Sequence, residues 1–149
     1  MAAAALVVVL AAGAAVGAGV SGADAAKARV ANMKSLGGAG KAIGDQLKSG
    51  SPDAAVVKTQ AARMVELANA MPTWFPKGSG PESGAKTRAL PLIWSDPAGF
   101  SAAQKGFAAQ VTKLNALAAA GDMAAVGGQM NAVGAACKTC HDKFRGPET

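Results

Sequence analysis

MAAVGGQMNAVGAACKTCHDKF, residues 123–144, carries two signals at once. Met123, Val126, Met130, Val133, Cys137, Cys140 and Phe144 recur three and four apart, which lines them along one stripe of an α-helix. Inside the stripe, Cys137-Lys138-Thr139-Cys140-His141 sets two thiols three apart, with an imidazole directly after the second. That spacing is the attachment pattern of a c-type haem. On a helix, positions 137, 140 and 141 share a face, so both sulfurs can add to one porphyrin while His141 reaches its iron. The other chemistries of such a triplet fit less well. A zinc site usually takes four nitrogen or sulfur ligands, and the chain has two Cys and one His in total. A thioredoxin-like Cys-x-x-Cys sits in a βαβ pattern, and none is visible. A disulfide across one helical turn would distort it. One covalent haem c, with its iron, is the expected cofactor.

The same spacing recurs upstream. Arg29, Met33, Leu36, Gly40, Ile43 and Leu47 form one stripe, and Ala54, Val57, Ala61, Met64, Ala68 and Met71 a second. Phe100, Phe107, Val111, Leu114 and Leu117 or Ala118 form a third, with Ala103 or Gln104 filling the gap. Sustained alternation of three and four marks helices packed at shallow angles. Four stripes therefore predict an all-α fold, an antiparallel four-helix bundle. Ser51-Pro52 reads as the start of the second helix and Asp96-Pro97 as the start of the third. Gly121-Asp122 ends the third and caps the fourth, a link short enough to make the two antiparallel neighbours. Cys137 and Cys140 are seam positions, so the porphyrin points into the bundle. The rest of the seam is small, rich in Ala and Gly. A flat apolar macrocycle filling it would remove several hundred Å² from water at ~25 cal/mol per Å², and the apoprotein is expected to be poorly packed.

Between the second and third helices, residues 72–96 hold Pro72, Pro76, Gly78, Gly80, Pro81, Gly84 and Pro91 together with Trp74, Phe75 and Trp94. A solvated linker has no need of two tryptophans and a Leu90/Leu92/Ile93 run. The segment is expected to wrap one side of the bundle and cover a bound group.

The first 23 residues carry no charge and end in Ser21-Gly22-Ala23, small residues of the kind a signal peptidase reads. Residues 1–23 thus read as a cleaved signal peptide and 24–149 as one cytochrome domain. No Lys or Arg follows Met1, so retention as an N-terminal anchor is the alternative. Export to the periplasm fits a haem attached beyond the bacterial inner membrane. The formal net charge is +6, and two haem propionates would lower it to about +4. Such a surface suits acidic partners, redox partner proteins among them, or anionic membrane faces. It does not suggest nucleic acid, since the cations are scattered with few aromatics among them.

The chain resembles the class II c-type cytochromes, the cytochrome c′ family. The resemblance rests on Cys137 through Arg145, on Arg29-Val-Ala-Asn-Met33-Lys, and on the segments Pro72-Thr-Trp-Phe-Pro and Leu90-Pro-Leu-Ile-Trp94. A C-terminal haem motif is itself discriminating, because most other c-type cytochromes carry theirs near the N-terminus. The resemblance implies an exported four-helix bundle, often a homodimer through its first two helices, and a high-spin iron with an open sixth position.

Local chemistry adds candidates. Arg29 lies on the seam, where an unpaired guanidinium is costly to bury. A haem propionate is its natural bidentate partner, and snorkelling to water the alternative. Thr87 and Arg88 look similar to loop residues that reach propionates in relatives. Arg145, one turn past His141, can edge the proximal pocket or remain solvated. Met33 decides the coordination. The five-coordinate relatives carry a bulky apolar residue there, whereas a helix-one methionine in low-spin relatives is the sixth ligand and raises the potential; packing is the commoner use of a seam Met. An empty sixth position gives a protein that binds nitric oxide or carbon monoxide, and Met33 ligation gives an electron shuttle. A peroxidase needs a distal acid–base group, and the single histidine is already committed. No enzymatic activity is expected.

Overall fold

The computed structural model describes residues 20–147, so the expected leader falls almost wholly outside it. Five α-helices follow in order: α1 (Gly22–Lys48), α2 (Ala54–Ala70), α3 (Leu92–Ser95), α4 (Pro97–Ala120) and α5 (Met123–Phe144). The four long ones make the expected bundle, and α3 is a single turn within the connection from α2 to α4. Three sides of the bundle are closely packed: α1 on α2, α2 on α4, and α4 on α5. The fourth side, α5 against α1, is much the sparsest. No described helix is long and apolar enough to cross a membrane.

The stripes account for the packing. Ile43, Val57, Ala61, Val111, Leu114 and Val126 are wholly shut off from solvent, each at a predicted seam position. Two details differ. Ala54 is exposed at the first turn of α2, while Leu67 is buried further along. The α2 cap is also displaced from Ser51-Pro52. Asp53 holds that place, its carboxylate accepting from the N–H groups of Ala55 (2.8 Å) and Val56 (3.3 Å). Its own N–H donates to Gln46 Oε1 at 2.8 Å. One carboxylate satisfying two orphan donors outcompetes a serine followed by proline. The other caps are as expected. Asp96 accepts from the Gly99 N–H (2.9 Å), and Asp122 from the Ala125 N–H (2.9 Å). Gly121 closes α4 at φ +76°, a left-handed conformation that favours glycine.

The connection between α2 and α4 is a strap over one end of the bundle. It opens with a 3₁₀ turn, Met71–Trp74, and carries a second at Pro81–Ser83. Trp74 and Ile93 enter the core, and Ser79 is completely buried. The strap presses so closely on the start of α1 that a Cβ at Gly22 would lie 1.8 Å from the Gly78 carbonyl oxygen. It then meets the C-terminal tail in one antiparallel bridge, Ala89 to Arg145. Helix α1 begins at Gly22, capped by Ser21. The boundary expected between Ala23 and Asp24 therefore falls within its first turn.

Candidate haem-binding site

Cys137 and Cys140 are free thiols, both half-buried, on the last turns of α5. Cys137 packs against the main core, and Cys140 against a smaller cluster of Ile93, Phe100 and Phe144. Phe100 anchors that cluster edge-to-face between Phe75 and Phe144, with centroids 4.7 and 5.0 Å away. His141 follows on the exposed side. Burial pushes both thiols up from their ordinary range, so they stay protonated at neutral pH. His141 is shifted down, first by desolvation and then by the nearby charges of Arg145 and Arg88, with Asp142 opposing. Arg145 Nη1 lies 3.3 Å from His141 Nδ1. A guanidinium can only donate, so this contact needs Nδ1 as the acceptor.

Across the sparse side of the bundle stands α1, with Arg29 and, one turn on, the half-buried Met33. Arg29 is 3% exposed, which removes the snorkelling alternative. Its Nη1 donates to Trp74 O (3.2 Å) and Ser79 Oγ (2.9 Å), and its Nη2 to Ser79 O (2.8 Å) and Thr87 Oγ1 (2.9 Å). The guanidinium carbon also lies 4.8 Å from the Phe75 ring centre and 5.9 Å from that of Trp94. Every acceptor is a neutral oxygen. Desolvation pulls the Arg29 pKa down, and Glu82 offsets this only through space. A buried cation solvated by neutral dipoles keeps its full charge and suits an anionic carboxylate.

These features fit a haem. A propionate-bearing macrocycle matches a buried cation hydrogen-bonded only to neutral oxygens, paired thiols on α5, and the sparsest side of the bundle, α5 against α1. A shallow depression of about 630 Å³ also runs along α4 and α5 past Ala102, Gly106, Ala135 and Thr139. Neither cysteine nor His141 lines it, and it lies away from the α1 wall.

The structure brings together Cys137, Cys140, His141 and Arg145 at one end of α5, and Arg29 with Thr87 beneath the strap. It separates Thr87 from Arg88, whose Nε donates to the Gly146 carbonyl at 2.8 Å on the tail. Ser79, the carbonyl of Trp74 and the rings of Phe75 and Trp94 complete the Arg29 cage, and the sequence alone did not single out Ser79. Its signal was faint: one hydroxyl between two glycines in a strap already expected to cover something.

Comparison with known proteins gives a consistent result. Residues 24–145 match the family model described as Cytochrome C′. A cytochrome c′ of Rubrivivax gelatinosus is 43% identical over 93 residues, covering 62% of this chain and 70% of the relative. A nitric oxide complex of a variant cytochrome c′ from Alcaligenes xylosoxidans superposes with a TM-score of 0.76 at 30% identity, covering 85% and 98% of the two chains. A cytochrome c′ with ligand-controlled dimer dissociation gives 0.80 at 29% identity, covering 87% and 100%.

Proposed function

The chain belongs to the cytochrome c′ family, with haem c and its iron as cofactor, and from that premise we propose a periplasmic monohaem cytochrome whose iron is high-spin and five-coordinate. When bound, the haem supplies a centre that exchanges one electron and accepts a small neutral ligand such as nitric oxide or carbon monoxide. Cys137 and Cys140 would hold it by thioethers, and His141 would supply a ligand to its iron. Arg29 would offer a propionate its positive charge from within a cage of Ser79, Thr87 and Trp74 that takes up its Nη hydrogens. Met33, packed against the core, would keep water from the iron.

One observation carries this reading: the haem-attachment triplet on α5 and the buried Arg29 on α1 belong to the two helices that form the loosest side of the bundle. For the coordination, Met33 is packed against the main core cluster, which supports a filling role for its thioether over an iron ligand. The nitric oxide complex of the related protein supports gas binding. The related ligand-controlled dimer supports a homodimer, and an uncharged N-terminal segment supports export. Electron exchange with acidic partner proteins is the companion role. Peroxide cleavage is not, for want of a second histidine as distal acid–base group.

The test is the optical spectrum of the ferrous protein with and without carbon monoxide. A broad high-spin Soret band that sharpens on adding the gas is the expected result. A sharp α-band indifferent to the gas would overturn five-coordination and make Met33 the sixth ligand. Met33→Ala would then convert that spectrum to the high-spin form.

A further inference from the structure

Arg29 and His141 stand on different helices at opposite sides of the site, yet an unbroken run of contacts joins them through the strap. Arg29 Nη2 donates to Thr87 Oγ1 at 2.9 Å, and the same oxygen accepts from the Ala89 N–H at 3.2 Å. Ala89 is the strap residue bridged to Arg145. On either side of that bridge, the Leu90 N–H donates to Phe144 O (3.0 Å) and the Gly146 N–H to Arg88 O (2.7 Å). Arg88 Nε adds a third bond to Gly146 O at 2.8 Å. The Arg145 N–H closes the path on the carbonyl of His141 at 3.1 Å.

We propose that Thr87 is a positioning residue for His141. Its hydroxyl, fixed on the buried Arg29, sets where the strap turns at Ala89. That turn fixes the bridge to the tail, and the bridge clamps the last turn of α5, from which the imidazole projects. The α1 wall and the iron ligand are thereby held in one frame, though no bond joins α1 to the imidazole directly. A helix end otherwise frays, and this one carries a metal ligand whose orientation depends on its surroundings. Thr87 therefore acts on the haem from a distance, as the common acceptor for the Arg29 side chain and the Ala89 backbone.

The proposal rests on His141 being the axial ligand, and its test separates the two claims. The haem-loaded protein is compared with Thr87→Val, which keeps the shape and removes the acceptor, and with Thr87→Ser, which restores it. Amide exchange at Leu90 and Gly146 is expected to quicken about tenfold in the valine variant, the size of a lost hydrogen bond, and to recover in the serine variant. The iron–histidine stretching band of the ferrous protein, read by resonance Raman, is expected to move or broaden with valine and return with serine. Unchanged exchange at Gly146 would refute the clamp. Faster exchange with an unmoved band would refute its effect on the ligand. Absence of any iron–histidine band in the parent protein would instead refute the five-coordinate, His141-ligated reading on which the proposal rests.

Discussion

The two halves of this bundle solve different problems. Where α2 meets α4, the interior is Val57, Ala61, Met64, Val111 and Leu114, each at most 2% exposed, and the helices complete one another. Where α1 faces α5, α1 brings a buried guanidinium and α5 two half-buried thiols, with the imidazole of His141 exposed beside them. The first half is a finished core. The second is arranged around a group that the polypeptide does not itself supply, and the strap, rather than a neighbouring helix, organises it. Folding energy and cofactor chemistry thus lean on different walls, which meet where Met33 and Cys137 pack against the main core.

That separation can be broken in a graded way. The largest effect belongs to the thiols. In Cys137→Ala/Cys140→Ala, haem that survives acidified acetone is expected to disappear, whereas the parent protein keeps its pigment in the protein pellet. Next, Leu114→Ala opens a cavity in the finished wall and is expected to cost roughly 3–4 kcal/mol. Denaturant unfolding should give nearly the same loss with and without haem, because Leu114 lies in the main core and not in the Arg29 cage. Arg29→Gln removes the cation and leaves the Ser79 and Thr87 acceptors short of donors, for about 2 kcal/mol. Here the loss should be larger in the haem-loaded protein, and an equal loss in both forms would remove the propionate from the cage.

The smallest effect is a pH dependence. Asp96 is held below the usual carboxylate range, first by the hydrogen bond from Lys143 (2.7 Å) and then by that from the Gly99 N–H. A carboxylate whose folded pKa is depressed stabilises the fold fully above its ordinary range, near pH 4, and loses that contribution as pH falls through the folded value. Asp96→Asn keeps the cap on Gly99 and breaks the exposed pair with Lys143. Its melting temperature should fall by about 2 °C at pH 7, with the difference vanishing as the pH falls through the depressed folded pKa of Asp96.

Much of this was legible in the sequence, and unevenly so. The helices could be read because their signal is repetition: a burial stripe such as Phe100, Phe107, Val111 and Leu114 is reinforced at every turn. The third stripe left Ala103 or Gln104 open, and the structure buries Gln104, since helical phase rather than polarity decides which of two adjacent residues faces inward. The haem triplet was legible because thioether chemistry tolerates few spacings. The strap was not. Its irregular backbone has no period, so the sequence could say that Trp74, Phe75 and Trp94 cover something but not that Ser79 and Thr87 bind Arg29. The division between Thr87 and Arg88 had the same cause. Adjacent residues in an extended segment point opposite ways, and only the bridge to Arg145 settles which one turns toward the cage.

The contrast between the two walls is tested most directly by amide exchange, comparing the haem-loaded protein with the Cys137→Ala/Cys140→Ala form freed of haem. Protection is expected to fall in α1, in the strap and in the last turns of α5, and to persist along the α2–α4 seam around Val57 and Leu114. A uniform loss over all four helices, or a loss centred on α2 and α4, would contradict the division of the bundle into a self-sufficient wall and a cofactor-dependent one.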